Sequence, residues 1–509
     1  MRRIGIDVGG TNTDAVLLEG AAILAAVKTA TTADVLSGVR QALREVTAVA
    51  GVAGVGAVMI GTTHFVNAVV QRRELDRVGA LRIGMPAAAS LPPFCDWPED
   101  LAAIVRGPVH MVEGGHDYDG RPIMPLDELA VVAAGRAMRV AGVRAVAVSS
   151  IFAPLDPAME VRAEAVLRDV MPDASITLSH QLGRIGLLER ENVALLNAAL
   201  TGLARRTIRA FEEALAEAGI AAPLFVTQND GTVIRAGVAE RFPVLSFASG
   251  PTNSMRGAAF LTGVMDALVV DVGGTTSDVG ALRAGFPREA NAVVTIGGVR
   301  TLFRMPDLLS IGLGGGSIVT FEPLAIGPRS VGFRLLQEAM VFGGGTLTAS
   351  DVAVAGGRLA LGDAGRVAGL GAGVAAEVLA LAARMLESAI DRMKTDAAPV
   401  PLLAVGGGAF LVPDRLTGVS EVRRPESAAV ANAVGAAIAQ VSGEVDEVFQ
   451  GLSRDAALTQ AESVARQRAV AAGADAATVV VVDLEDLPIA YLPGGALRVR
   501  ARVVGDIAV

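Results

Sequence analysis

A chain of 509 residues is too long for one hydrophobic core, so two or three domains are expected. Hydrophobic residues make up 52% of it but aromatics only 4%, with Ala, Val and Leu dominant, a composition that suits thin helix-on-sheet layers and an α/β fold. A net charge of −9 without a basic cluster argues against a nucleic-acid surface, and a single cysteine, Cys95, excludes an internal disulfide framework and any CxxC zinc site.

The opening RIGIDVGG, residues 3–10, reads as a β-branched strand ending in glycines, and residues 15–29 as two further strands turning at Glu19-Gly20. No apolar signal region develops behind Arg2 and Arg3, and the run from Val46 to Ile60 is broken by Thr47 and glycines, so a cytoplasmic protein with no membrane partner is expected. Val35, Val39, Leu43 and Val46 recur at helical spacing behind Asp34, predicting a helix over 34–49. Residues 57–73, AVMIGTTHFVNAVVQRR, read as strand, polar turn and helix.

From Leu91 to Gly120 prolines and glycines predict a long loop. Strand and helix patterns return over 143–154 and 156–172, and residues 189–219 carry the longest helical pattern. The second half repeats the grammar: strand, corner and strand over 268–285, a helix over 375–394, then LLAVGGGAFLVPD at 402–414 and a helix over 427–438. A duplicated fold follows, with boundaries expected at 1–185, 186–445 and a C-terminal extension, 446–509.

The repeat is sharpest in DVGGTNTD, residues 7–14, and DVGGTTSD, residues 271–278, which agree at six of eight positions. Glycines at such a corner let the backbone turn tightly and bring amides to phosphate oxygens, while threonines add hydroxyl donors. Gly9, Gly10, Thr11, Asn12 and Thr13, with Gly273, Gly274, Thr275 and Thr276, are therefore the candidate phosphate binders. Asp7 and Asp271, at the strand ends, are placed to hold Mg²⁺ through water or to position the attacking group; Asp14 and Asp278 close each corner. Gly406, Gly407 and Gly408 are candidates for packing against a nucleoside, and Gly314, Gly315, Gly316 and Ser317 for presenting amides to a phosphate or oxyanion. His64, His116 and His180, with Asp117 or Asp119, are a further candidate metal set, and Asn67, Asn229 and Asp230 candidates to reach a cleft.

Corner, corner and nucleoside turn, in that order, resemble the actin-like ATPase superfamily. The resemblance implies two RNase H-like domains facing a nucleotide cleft, ATP and Mg²⁺, while residues 446–509, reading as helix and then strands, make a small C-terminal α+β extension. Finer motifs resemble the A subunits of the hydantoinase/oxoprolinase family, of the N-methylhydantoinase A type. DVGGTNTD is similar to that family's DVGGTFTD, and GTTHFVNA at 61–68 to its GTT-x3-NA segment. SHQLGRIGLLERENVALLNAAL at 179–200, QNDGTV, PVLSFASGP, IGLGGGSI and IGPRSVG continue in the family's order. The family's SGPAGG is here SGPTNS, residues 249–254. What the resemblance implies is ATP-dependent hydrolysis of a hydantoin, 5-oxoproline or lactam by phosphorylation of the amide oxygen, with a separate B-type subunit as partner and room for a homo-oligomer. It makes His180 a contact for substrate or metal. A carboxylase-type subunit, a small-molecule kinase and a nucleotide switch without its own substrate are the alternatives.

Overall fold

Continuously buried runs in Arg2–Val8 and Asn12–Glu19, with Ala22–Ala30 beside them, form the expected antiparallel meander. The computed structural model describes residues 1–9, 12–30, 35–290, 293–489 and 495–508; Gly10, Thr11 and the cap position Asp34 lie outside them. The helix Val35–Ala50 lays Val39, Leu43 and Val46 on this sheet beside Ile4, Ile6 and Leu17. The chain then returns as Val55–Thr62, parallel to the first strand.

The second half repeats these steps. Ala267–Val272 pairs antiparallel with Ser277–Arg283, the helix Ala372–Met393 covers the pair, and Val400–Val405 returns parallel to the first strand. Register is conserved between the halves: Asp7 lies opposite Asp14, and Asp271 opposite Asp278. A further parallel strand flanks each returning strand, Leu224–Thr227 in one sheet and Val419–Arg423 in the other.

Each repeat also contributes a helix to the seam between the sheets, Ser249–Thr262 and Ala431–Ala437. They cross at two glycines. A Cβ on Gly257 would lie 1.8 Å from the Ala431 carbonyl oxygen, and one on Gly435 1.8 Å from that of Asn253, so only glycine permits this approach.

Two departures from the sequence reading have physical causes. The loop expected over 91–120 contains the helix Glu99–Val105 and the strand Arg106–Glu113, anchored by buried Phe94, Trp97, Leu101 and Val105. That strand belongs to a four-stranded parallel sheet with Val78–Met85, Ala145–Ser150 and Ser175–Leu178. Segments 186–445 and 446–509 are not separate units. Val233 pairs with Val441, so Val441–Phe449, Leu497–Gly505 and Val480–Pro488 extend the N-terminal sheet to nine strands. The helix Arg454–Ala472 seals them through Ala457, Ala461, Ala465 and Ala469. The helix Leu187–Glu217 runs 31 residues, one end in the core beside Trp97 and the other in the core of the first meander, so it ties the four-stranded unit to the nine-stranded sheet. Among the described residues no single helix is long and apolar enough to cross a membrane.

Candidate active site

The conserved register brings both corners to the seam helices. Asp7 is 5% exposed and sits in a cage of amides: Asn253 Nδ2 donates to its Oδ1 at 3.1 Å, and Asn432 Nδ2 to its Oδ2 at 3.0 Å. Asn432 Nδ2 also reaches Asp14 Oδ2 at 2.9 Å, and Lys28 Nζ donates to Asp14 Oδ1 at 2.8 Å and to the Ala429 carbonyl at 3.0 Å. Burial raises the Asp7 carboxyl to about 7; the two amide donors oppose the rise, while the charges of Asp14 and Asp271 add to it. Thr13, a candidate phosphate donor, is instead fully buried with its hydroxyl toward Gly38. Gly9 and Asn12 close the described part of the hairpin, the Gly9 amide donating to the Asn12 carbonyl at 3.0 Å.

The second corner is more open. Asp271 is half-buried and accepts from the Ser254 hydroxyl; burial raises its pKa, as it raises that of Asp278 to about 6 despite a hydrogen bond from Ser310. Thr275 and Thr276 are exposed. Among the described residues, the amides of Gly274 and Thr275 have no partner.

The two glycine runs do converge on this corner, but differently from expectation. Gly314, Gly315 and Gly316 are buried, and their amides are spent inside the protein: on Ser317 Oγ at 2.8 Å, the Gly273 carbonyl at 3.0 Å and the Gly274 carbonyl at 2.7 Å. These bonds tie the glycine run to the second corner and occupy the amides expected to meet a phosphate. Gly408 likewise donates to the Val272 carbonyl at 2.7 Å. Gly406, at φ +87°, passes so near the corner that a Cβ would lie 2.2 Å from Asp271 Oδ1. Gly407 alone of the three is exposed, with open space before it.

His180 is not joined to the corners by any contact among the described residues. Its Nδ1 lies 2.7 Å from Glu160 Oε2, and Glu160, fully buried, also accepts from the amides of Ser150 and His180 and the hydroxyl of Ser179. The imidazole faces a separate cavity of about 700 Å³, lined in part by Phe303, Arg304, Glu444, Asp446 and Arg498. The histidines do not form a metal set: His116 pairs with Asp156 at 3.4 Å, and no group of three or more His, Cys, Asp or Glu is placed to hold a metal among the described residues. Asn229 and Asp230 build their own loop, Asn229 bonding the Val244 carbonyl at 3.0 Å and Asp230 the Arg304 guanidinium at 2.7 Å, while Asn67 bonds Thr63 at 3.2 Å.

Asn253, Ser254, Asn432 and Lys28 were missed by sequence reasoning. The signal available was a polar residue on an otherwise apolar helix face, as with Asn432 among alanines and valines, and the replacement of two glycines by Asn253-Ser254.

Residues 3–171 match the hydantoinase/oxoprolinase N-terminal region, and residues 190–363 match the hydantoinase/oxoprolinase domain that follows it. The chain belongs to the hydantoinase/oxoprolinase family. Among curated relatives, the caprolactamase alpha subunit of Pseudomonas jessenii is 27% identical over 397 residues, covering 70% of this chain. The acetophenone carboxylase gamma subunit of Aromatoleum aromaticum is 28% identical over 254 residues, or 47% of this chain. The chain spans 55% and 34% of these relatives, about half their length or less. Among solved structures, ATP-dependent caprolactamase from Pseudomonas jessenii superposes with a TM-score of 0.80 at 21% identity, covering 99% of this chain and 87% of that one. Acetone carboxylase in its nucleotide-free form gives 0.70 at 19%, covering 100% and 88%. These likenesses bear out the two-repeat α/β architecture expected for the family.

Proposed function

We propose that this chain is the ATP-dependent A-type subunit of an enzyme that opens a cyclic amide, a hydantoin, 5-oxoproline or lactam, by phosphorylating the amide oxygen. The observation that carries this reading is the pairing of two corners of identical register at one seam, within a member of the hydantoinase/oxoprolinase family. A planar amide is a poor electrophile; phosphorylating its oxygen makes the carbon open to attack by water, the adduct then opens by C–N cleavage with the ring nitrogen leaving as amine, and hydrolysis of the resulting acyl phosphate releases phosphate and the carboxylate. The chemistry calls for phosphate donors and carboxylates rather than a serine or cysteine nucleophile.

The residues fit a magnesium nucleotide. Exposed Thr275 and Thr276 hydroxyls and the partnerless amides of Gly274 and Thr275 suit phosphate oxygens, and hard carboxylate oxygens suit Mg²⁺. Since no three acidic or histidine ligands converge among the described residues, Asp7 and Asp271 would hold the ion through water, in company with the phosphates. Bound there, Mg²⁺ would supply neutralisation of phosphate charge. The chain's own contribution is orientation: the Gly314–Gly316 latch and the Gly406–Gly408 turn brace the second corner, and the Ser254 hydroxyl holds one oxygen of half-buried Asp271. His180 stays outside the transfer step, because none of the described corner residues lines its cavity.

The deciding experiment measures ADP and phosphate release from Mg·ATP against hydantoins, 5-oxoproline and lactams, with and without a B-type subunit. Turnover stimulated by one cyclic amide, with ring-opened product, is expected. A stable phosphorylated product would make the chain a kinase, and nucleotide binding without stimulated turnover would make it a switch.

A further inference from the structure

Asn253 and Ser254 are consecutive on the seam helix, yet they touch carboxylates of different repeats. Asn253 is fully buried, its Nδ2 bridging Asp7 Oδ1 and Thr227 Oγ1, both at 3.1 Å. It occupies the space left by Gly61, where a Cβ would lie 2.2 Å from Asn253 Nδ2 and 2.6 Å from Asp7 Oδ1. Ser254, 2% exposed, gives its hydroxyl hydrogen to Asp271 Oδ2.

The opposite helix answers from the other repeat. Gly257 meets Ala431 and Gly435 meets Asn253, so the two helices are related by an approximate two-fold that matches Asn253 with Ala431 and Ser254 with Asn432. Ser254, from the first repeat, reaches Asp271 in the second; Asn432, from the second, reaches Asp7 and Asp14 in the first. Asn253 has no polar counterpart, since its equivalent is Ala431. Neighbouring residues on a helix point about 100° apart, so this two-residue step fixes the relative placement of two carboxylates that no shared strand connects.

We infer that Asn253 and Ser254 are positioning residues that set the two corner carboxylates toward a divalent cation accompanying bound nucleotide. The inference rests on the nucleotide reading above. It separates two kinds of contact: phosphate donors such as Thr275 and Gly274 do not depend on these side chains, whereas any contribution of the cation to affinity does. Hydrogen bonds to a carboxylate are among the stronger ones, because an ionised acceptor left without its donor stays desolvated.

The test uses calorimetric binding of a non-hydrolysable ATP analogue to the full chain, with Mg²⁺ and with chelator. In N253G/S254G the gain in affinity brought by Mg²⁺ is expected to fall by at least about tenfold, the worth of one hydrogen bond to a charged group, while chelator-condition affinity stays within about twofold. Ser254→Thr, which keeps the hydroxyl, should retain the wild-type gain in Mg²⁺ affinity. Ser254→Ala, which removes a single oxygen, carries the same test if the double variant does not fold. A gain equal to wild type would overturn the inference. A larger gain would overturn it too, by showing that the side chains compete with the cation. A wild-type chain that binds no analogue in either condition would overturn the nucleotide reading itself.

Discussion

The two corners share sequence and register but not surroundings. At the first, Asp7 is enclosed by Asn253 and Asn432, its partner Asp14 is tied to Lys28, and Thr13 points inward. At the second, the tip threonines face solvent, and buried glycine loops brace the hairpin from behind. The motif dictates the hairpin because a glycine turn between β-branched strands leaves little choice of register. Access is decided elsewhere, by helices and loops hundreds of residues away. Among the described residues the second corner is thus the more open of the two, and the first is the one bonded to both seam helices.

The largest test of this contrast is Asp271→Asn, expected to lower ATP turnover by on the order of 10²–10³ with little change in thermal unfolding. Asp7→Asn should cost less turnover, roughly tenfold in phosphate release; equal losses for the two would erase the distinction. Glycine substitutions sharpen it further. Gly406→Ala meets both a left-handed backbone and Asp271, and should cost about 1–3 kcal/mol in denaturant unfolding together with activity. Gly407→Ala, with open space before it, should leave stability unchanged and weaken nucleotide binding alone.

The pH dependence is subtler. The carboxyls of Asp7 and Asp278 titrate in the folded chain at about 7 and about 6, well above their ordinary range, because burial disfavours their charge. The folded state therefore holds protons that the unfolded chain releases. The corresponding stability is complete below about pH 4 and lost as pH rises through 6 and 7. Thermal unfolding of the nucleotide-free protein should show D7N/D278N gaining on the wild type by a few degrees between pH 5 and 8; parallel curves would contradict it. Smallest of all, Lys28→Met should cost under about 1 kcal/mol, since Lys28 is part-exposed.

Much of this architecture was legible in the chain itself. The hairpins, their duplication and the covering helices all write period-two or helical patterns into the sequence, because each buries one face locally. What was hidden depends on distant partners. The strand Arg106–Glu113 carries little alternation, since most of it is half-buried, and it is placed by pairing with Val78–Met85. Gly314–Gly316 looked like a free anion cradle because nothing local reveals that the carbonyls of Gly273 and Gly274 take up two of their amides. The hydrogen bonds of Asn253 join residues 246 positions apart to Asp7 and could not be seen from helical spacing.

The nine-stranded sheet has an implication for how the molecule is made. Its strand Arg2–Val8 is translated well before the three strands at the far side, which come from residues beyond 440. While the ribosome is still working, Val233–Arg235 is therefore an open sheet edge awaiting Val441–Phe449. Unsatisfied edges of this kind recruit strands from neighbouring chains, and long-range pairings close slowly. The chain's most vulnerable moment thus falls before residues 441–505 emerge, and chaperone dependence during synthesis should exceed that of the finished fold.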